Sequence, residues 1–194
     1  MSTPNRTAVI IVAAGRGLRA GPGGPKQYRT LGGRSVIARA MAAFCGHPQV
    51  VAVQPVVNPD DIAVFNQAIG DVAALPPVNG GATRQASVRA GLEALGATAP
   101  DIVLIHDAAR PFANDALIAR AIEAATSTGA AVPVIPVTDT IKQVDARGHV
   151  DATPERARLR IAQTPQAFRY DVILEAHRRA AREGRDDFTD DAAL

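Results

Sequence analysis

An α/β protein with a mostly parallel sheet, wound by helices on both faces, is what the sequence predicts, and three observations predict it. Short β-branched apolar runs at 7–14, 50–57 and 102–105 read as strands covered on both sides. Stretches with apolar residues at helical spacing fall between and after them, at 36–44, 88–95 and 115–128. Strand and helix patterns alternate in this way to about residue 137, the mark of βαβ units. Composition agrees: 47% of the 194 residues are apolar, but only 4% are aromatic and Trp is absent. Ala, Val, Ile and Leu must therefore fill the core, which suits helices packed closely on a sheet.

The elements follow in order. The first strand runs into a loop at 15–25 that holds two prolines and five glycines. After the strand at 50–57, Asn58-Pro59-Asp60-Asp61 reads as a helix start with acids in its first turn. Asn114 caps the helix at 115–128 and Gly129 ends it. Residues 131–137 read as a strand that Pro133 and Pro136 confine to an edge or bend. From 138 to 163 the alternation stops; the segment is polar, and Asp145-Ala146-Arg147-Gly148 looks like a hairpin turn. Such a hairpin, projecting from an α/β domain, is a lid or an arm that grips another subunit. Residues 170–182 form a helix stopped by Gly184, and Thr189-Asp190-Asp191-Ala192 reads as a further helix start. The sequence ends before that helix completes a second turn, so the natural polypeptide is expected to be longer. With no repeats, low-complexity stretches or linkers, the 194 residues read as a single domain.

Several function classes drop out. No apolar run approaches the roughly 20 residues that span a bilayer. The run at 8–14 leads straight into Gly15-Arg16-Gly17 and reads as a buried strand, not a signal peptide. Cys45 is the only cysteine, which excludes a disulfide scaffold and fits a reducing, cytoplasmic setting. A formal charge of +2, from 21 Lys and Arg against 19 Asp and Glu, is too small for a nucleic-acid binder.

Three clusters can carry chemistry. The loop from Gly15 to Lys26 lies at the carboxyl end of the first strand, where open α/β sheets bind ligands. A dinucleotide fingerprint needs a helix to start inside it, which Pro22 and Pro25 prevent; an ATPase phosphate loop needs Gly-Lys-Ser/Thr, where Pro25-Lys26-Gln27 stands. A wide loop whose amides surround a triphosphate, with Arg19 and Lys26 reaching its charges, remains, beside the plainer reading of a glycine-rich turn with solvated cations. His106-Asp107-Ala108-Ala109-Arg110-Pro111 follows a buried strand. It suggests a ligand or metal role for Asp107 and an anion role for Arg110, or an ion pair closing the loop. His106 is as well read as a packed side chain as a catalyst. Gly80-Gly81 leading through Thr83 and Arg84 to Ser87 is a glycine turn into a helix, suited to the base or phosphates of a nucleotide.

These pieces, together with Ala13-Ala14-Gly15, Pro25-Lys26-Gln27-Tyr28, Asp139-Thr140-Ile141-Lys142 and Gln163-Thr164-Pro165-Gln166, occur in the order and spacing of one family. The chain closely resembles the 2-C-methyl-D-erythritol 4-phosphate cytidylyltransferases of the non-mevalonate isoprenoid pathway, over essentially all 194 residues. The resemblance implies a Rossmann-like nucleotidyltransferase sheet with a projecting β-hairpin arm. It implies transfer of CMP from CTP to methylerythritol phosphate, with Arg19 and Lys26 neutralising the phosphorus and Mg²⁺ held mainly by the CTP phosphates, not by protein ligands. Ala13, Ala14, Gly15, Gly81, Arg84, Ser87 and Ala108 would face the nucleotide. Asp107, Arg110, Thr140, Thr164 and Arg156 would face the acceptor. Residues 138–163 would form a homodimer arm, with Arg156 entering the partner's site. The family continues past this chain's end, and in some bacteria its domain is fused to the pathway's cyclodiphosphate synthase. A pentitol-phosphate cytidylyltransferase and a nucleotide-binding dimeric module without turnover are the alternatives.

Overall fold

The computed structural model describes residues 5–16, 24–186 and 188–194. Most of the glycine loop, including Arg19, lies outside the described residues.

In chain order the strands are β1 (Thr7–Ala13), β2 (Thr30–Leu31), β3 (Arg34–Ser35), β4 (Val50–Val57), β5 (Val78–Asn79), β6 (Ile102–Asp107), β7 (Ala130–Ala131), β8 (Val134–Pro136), β9 (Gln143–Val144), β10 (Val150–Ala152), β11 (Arg160–Ala162) and β12 (Gln166–Arg169). The helices are α1 (Val36–Cys45), α2 (Ile62–Ile69), α3 (Arg84–Ala94), α4 (Asp115–Thr128) and α5 (Tyr170–Arg182). The main sheet has the order β5-β4-β1-β6-β12-β7. β1 pairs in parallel with β4 and β6, and β12 alone runs opposite to the other strands of this sheet.

β1 explains the double winding. Val9, Ile11 and Ala13 pack with Ile37, Met41, Phe44, Ile118 and Ile122 of α1 and α4. Ala8 and Ile10 pack on the opposite face with Val88, Leu92, Ile173 and Leu174 of α3 and α5. A strand buried on both sides needs this unbroken apolar run, and each buried isoleucine contributes about 1.5–3 kcal/mol. α3 lies close on the sheet because a Cβ on Gly91 would stand 2.8 Å from Val56 and 2.9 Å from Ile10. The caps are those the sequence announces. Asn114 accepts from the Leu117 amide at 2.9 Å, and Gly129 closes α4 at φ 89°.

Three expectations need correction. Residues 131–137 are not one strand: Pro133 offers no N–H and splits them into β7, in the main sheet, and β8, which pairs with β11 outside it. The strand β12 was not foreseen, because four residues following Pro165 give no periodicity to read. The residues after Thr189 form only a 3-10 turn, Asp191–Ala193, and Asp191 is buried among charged partners and caps no helix.

β12 decides where the arm sits. β6, α4 and β7 form a crossover that leaves an open slot between β6 and β7, and β12 fills it in reverse direction. The chain therefore leaves and re-enters the sheet at the edge where β6 ends. In between, β8 pairs with β11 and β9 with β10 as two antiparallel ribbons. Asp145 closes the tip, its carboxylate accepting from the amides of Arg147 and His149, with Gly148 at φ 83°. Among the described residues, no helix is long and apolar enough to cross a membrane.

Candidate active site at the carboxyl edge of the sheet

The end of β1 is buttressed by a buried glutamine. Gln27 donates its amide to the carbonyls of Ala13, at 2.9 Å, and Gly15, at 3.0 Å. This fixes the short 3-10 turn Lys26–Tyr28 against the strand and leaves Lys26 beside it. The Lys26 side chain is exposed, with no ion pair or hydrogen bond among the described residues. Arg16, by contrast, is tied to Asp60 and Asn58 in the turn after β4.

Ala14 meets the glycine turn before α3. A Cβ on Gly80 would lie 2.3 Å from the Ala14 Cβ, and one on Gly81 2.5 Å from the Ala86 Cβ. Both glycines thus have packing reasons to be there, whatever binds. Ser87 is buried; its Oγ accepts from the Gly81 amide at 3.1 Å and donates to the Thr83 carbonyl at 2.9 Å. Thr83 caps α3 by accepting from the Ala86 amide. Ala108 is buried and donates its amide to the Val12 carbonyl, joining the end of β6 to β1.

Around Asp107 the charges are paired. Arg110 donates Nε to Asp107 at 3.1 Å and a guanidinium N–H to the Gln163 side-chain oxygen. From the other side Arg84 stands 3.6 Å from Asp107 and 2.7 Å from Asp191. Burial works against the charge on Arg84, but Asp191 and then Asp107 outweigh it and raise its pKa. Thr164, next to the cis peptide before Pro165, accepts from the Asp107 amide at 3.3 Å.

His106 is a strut. Its Nε2 lies 2.9 Å from the Arg110 carbonyl, which can only accept, so Nε2 carries the proton. Nδ1 then accepts from the Thr164 hydroxyl at 3.0 Å. The ring is fully buried and tilted against Phe44 with centroids 4.8 Å apart. Desolvation lowers its pKa to about 4, so the ring is neutral near pH 7.

The fold thus gathers Ala13, Ala14, Gly15, Gly81, Ser87, Ala108, Arg84, Asp107, Arg110 and Thr164 at one edge. Thr140 and Arg156 stay on the exposed arm, where Arg156 donates to the Thr138 carbonyl at 2.6 Å; among the described residues nothing bonds either to the Asp107 group. Sequence reasoning passed over Gln27, Gln163, Gln166, His177 and Asp191 as partners. His177 did leave a signal: it falls in the stripe Ile173, Leu174, His177, Ala180 that α5 buries. A separate cavity of about 440 Å³, lined by Tyr28, Arg34, Gln67 and Asp71 among others, contains none of these groups.

Comparison with known proteins places this edge in context. The chain is 79% identical over 194 residues to the "Bifunctional enzyme IspD/IspF" of Nitrobacter hamburgensis, covering all of this chain and 48% of that protein. The protein of the same name from Bradyrhizobium diazoefficiens is 70% identical, with 49% of it covered. The chain therefore spans about half the length of these curated relatives. Among solved structures, the 2-C-methyl-D-erythritol 4-phosphate cytidylyltransferase of Thermus thermophilus is 35% identical with a TM-score of 0.77, over 97% of this chain and 82% of that one. The 4-diphosphocytidyl-2C-methyl-D-erythritol synthase of Anaerococcus prevotii is 27% identical with a TM-score of 0.82, over 97% and 80%. Residues 7–194 match the 2-C-methyl-D-erythritol 4-phosphate cytidylyltransferase family, and the chain belongs to it.

Proposed function

We propose that this chain transfers CMP from CTP to 2-C-methyl-D-erythritol 4-phosphate. A phosphate oxygen of the acceptor attacks the α-phosphorus in line, the bond to the β-phosphate oxygen breaks, and pyrophosphate leaves. No protein nucleophile is needed, so the residues act by position and charge. The observation that carries this reading is Lys26: in a chain of this family, an exposed ammonium with no partner among the described residues stands beside the β1 end, where a triphosphate would lie. Arg19 is its intended companion. Ala13, Ala14, Gly15, Gly81, Ser87 and Ala108 line the nucleotide side, with Arg84 at its border. Asp107, Arg110 and Thr164 serve the acceptor, completed by Thr140 and by Arg156 from the arm of a second copy.

Mg²⁺ is part of the proposal, as the ion that arrives with CTP. No three His, Cys, Asp or Glu residues cluster suitably for a metal among the described residues, and Asp107 already faces two guanidinium groups. Such a set suits an ion held by phosphate oxygens with at most one carboxylate. When bound, the ion would neutralise phosphate charge.

The arm supports a homodimer. Of the eleven exposed large apolar side chains among the described residues, Ile141, Val144, Val150 and Ile161 lie on it and Val134 and Ile135 on the strand β8 that leads into it, a concentration that marks a docking surface. Free Cys45 fits a cytoplasmic setting.

The test is pyrophosphate release from CTP with methylerythritol phosphate or ribitol phosphate as acceptor. Faster turnover of methylerythritol phosphate is expected. A preference for ribitol phosphate overturns the acceptor, and CTP binding without any release overturns the enzyme.

A further inference from the structure

A line of charged and polar groups runs from the last described turn of the chain to the acceptor side of the site. Asp191 is 2% exposed and His177 1%, so neither is a surface charge. The Asp191 carboxylate receives His177 Nε2 at 3.2 Å and Arg84 at 2.7 Å, while its amide donates to the Gln166 side chain at 3.2 Å. Gln166 also donates to Asp190, and Gln85 to the Arg185 carbonyl. Four side chains on α3, β12 and α5 thus hold Arg185, Asp190 and Asp191 in place. A buried carboxylate fixed this firmly holds whatever it pairs with, and here that is a guanidinium whose other side faces Asp107 at 3.6 Å.

Asp107 sits between two arginines of different character. Arg110 belongs to the loop that follows β6 and moves with Asp107 itself. Arg84 comes from another element and is anchored from behind, so it supplies the fixed reference. An arginine side chain carrying one long contact would lose little by swinging into solvent; the Asp191 bond removes that freedom.

The geometry points to Asp191 as a positioning residue that sets Arg84, and through it the Asp107 carboxylate, for the acceptor. This inference rests on the reaction proposed above. It also makes Asp191, which touches neither the glycine loop nor the arm in any bond described, a determinant of acceptor affinity more than of CTP affinity.

Steady-state kinetics of the full-length protein tests it, with CTP and acceptor varied separately for wild type, Asp191→Asn, Arg84→Lys and the double variant. Lysine keeps a positive charge for Asp191 but cannot span two carboxylates. Each single variant is expected to raise the acceptor KM about tenfold, the scale seen when a partner behind a binding residue is lost, and the CTP KM by clearly less. The double variant should be no worse than the worse single one, because both changes break one link. An unchanged acceptor KM, a CTP KM raised as much as the acceptor KM, or losses that multiply in the double variant overturn the inference. Should Asp191→Asn not fold, Arg84→Lys decides, since it leaves the buried carboxylate paired. A wild type that releases no pyrophosphate overturns the reaction, and this inference with it, before any substitution is made.

Discussion

Lys26 and His106 show how one edge of a sheet assigns opposite duties to two basic side chains. Lys26 is exposed and unpaired among the described residues, so its charge is available to a ligand. Lys26→Ala should lower turnover at least about a hundredfold, the cost typical of losing one group aimed at developing charge, with the fold intact by circular dichroism. His106 is buried and neutral, with its pKa lowered from 6.5 to about 4. The unfolded chain takes up a proton below about pH 6.5 that the folded chain refuses until about pH 4. Stability from this site is therefore whole above pH 6.5 and is lost as pH falls toward 4, by about 3 kcal/mol. Denaturation midpoints across that range should show the fall, and His106→Gln should lack that part of it. Sequence alone left His106 open between strut and catalyst, because burial and the direction of its two ring nitrogens come from Thr164 and Arg110, one of them far along the chain. Asp191 was misread for the same reason: its partners Arg84 and His177 are distant in sequence, so its neighbours Thr189 and Asp190 suggested a helix cap instead.

Among elements, the legible ones were those whose signal is local. β1, β4 and β6 announce themselves by unbroken apolar runs, and α4 by Asn114 and Gly129 at its ends. β12 was hidden because its place depends on a slot left by β6 and β7, which no window of sequence contains. The glycine turn before α3 was legible as a turn, but its tightness was not. Gly80 faces Ala14 with room for a hydrogen only, since a Cβ there would stand 2.3 Å from the alanine methyl and 3.0 Å from the Ser87 hydroxyl. Gly80→Ala should cost about 1–3 kcal/mol as an overpacked contact, read from urea unfolding. The same push should move Ala14 and raise the KM for CTP more than for the acceptor.

For the whole molecule, the arm is the element that the protomer itself uses least. Every residue from 138 to 153 is exposed, and the apolar side chains among them find no cover within the chain. If Arg156 works in a second copy's site, mixing Lys26→Ala with Arg156→Ala protein should restore activity: half of each heterodimer would pair an intact Lys26 with an intact Arg156. Activity that stays at the level of the separate variants counts against the exchange. The antiparallel return through β12 has one more consequence. The excursion from 132 to 165 is spliced in between two strands of the same sheet, so its length is nearly free of thermodynamic consequence for the sheet; doubling such an excursion adds only about 0.6 kcal/mol of closure entropy. Drift in the sequence of that excursion can therefore reshape its exposed apolar face while the strands of the main sheet stay as they are.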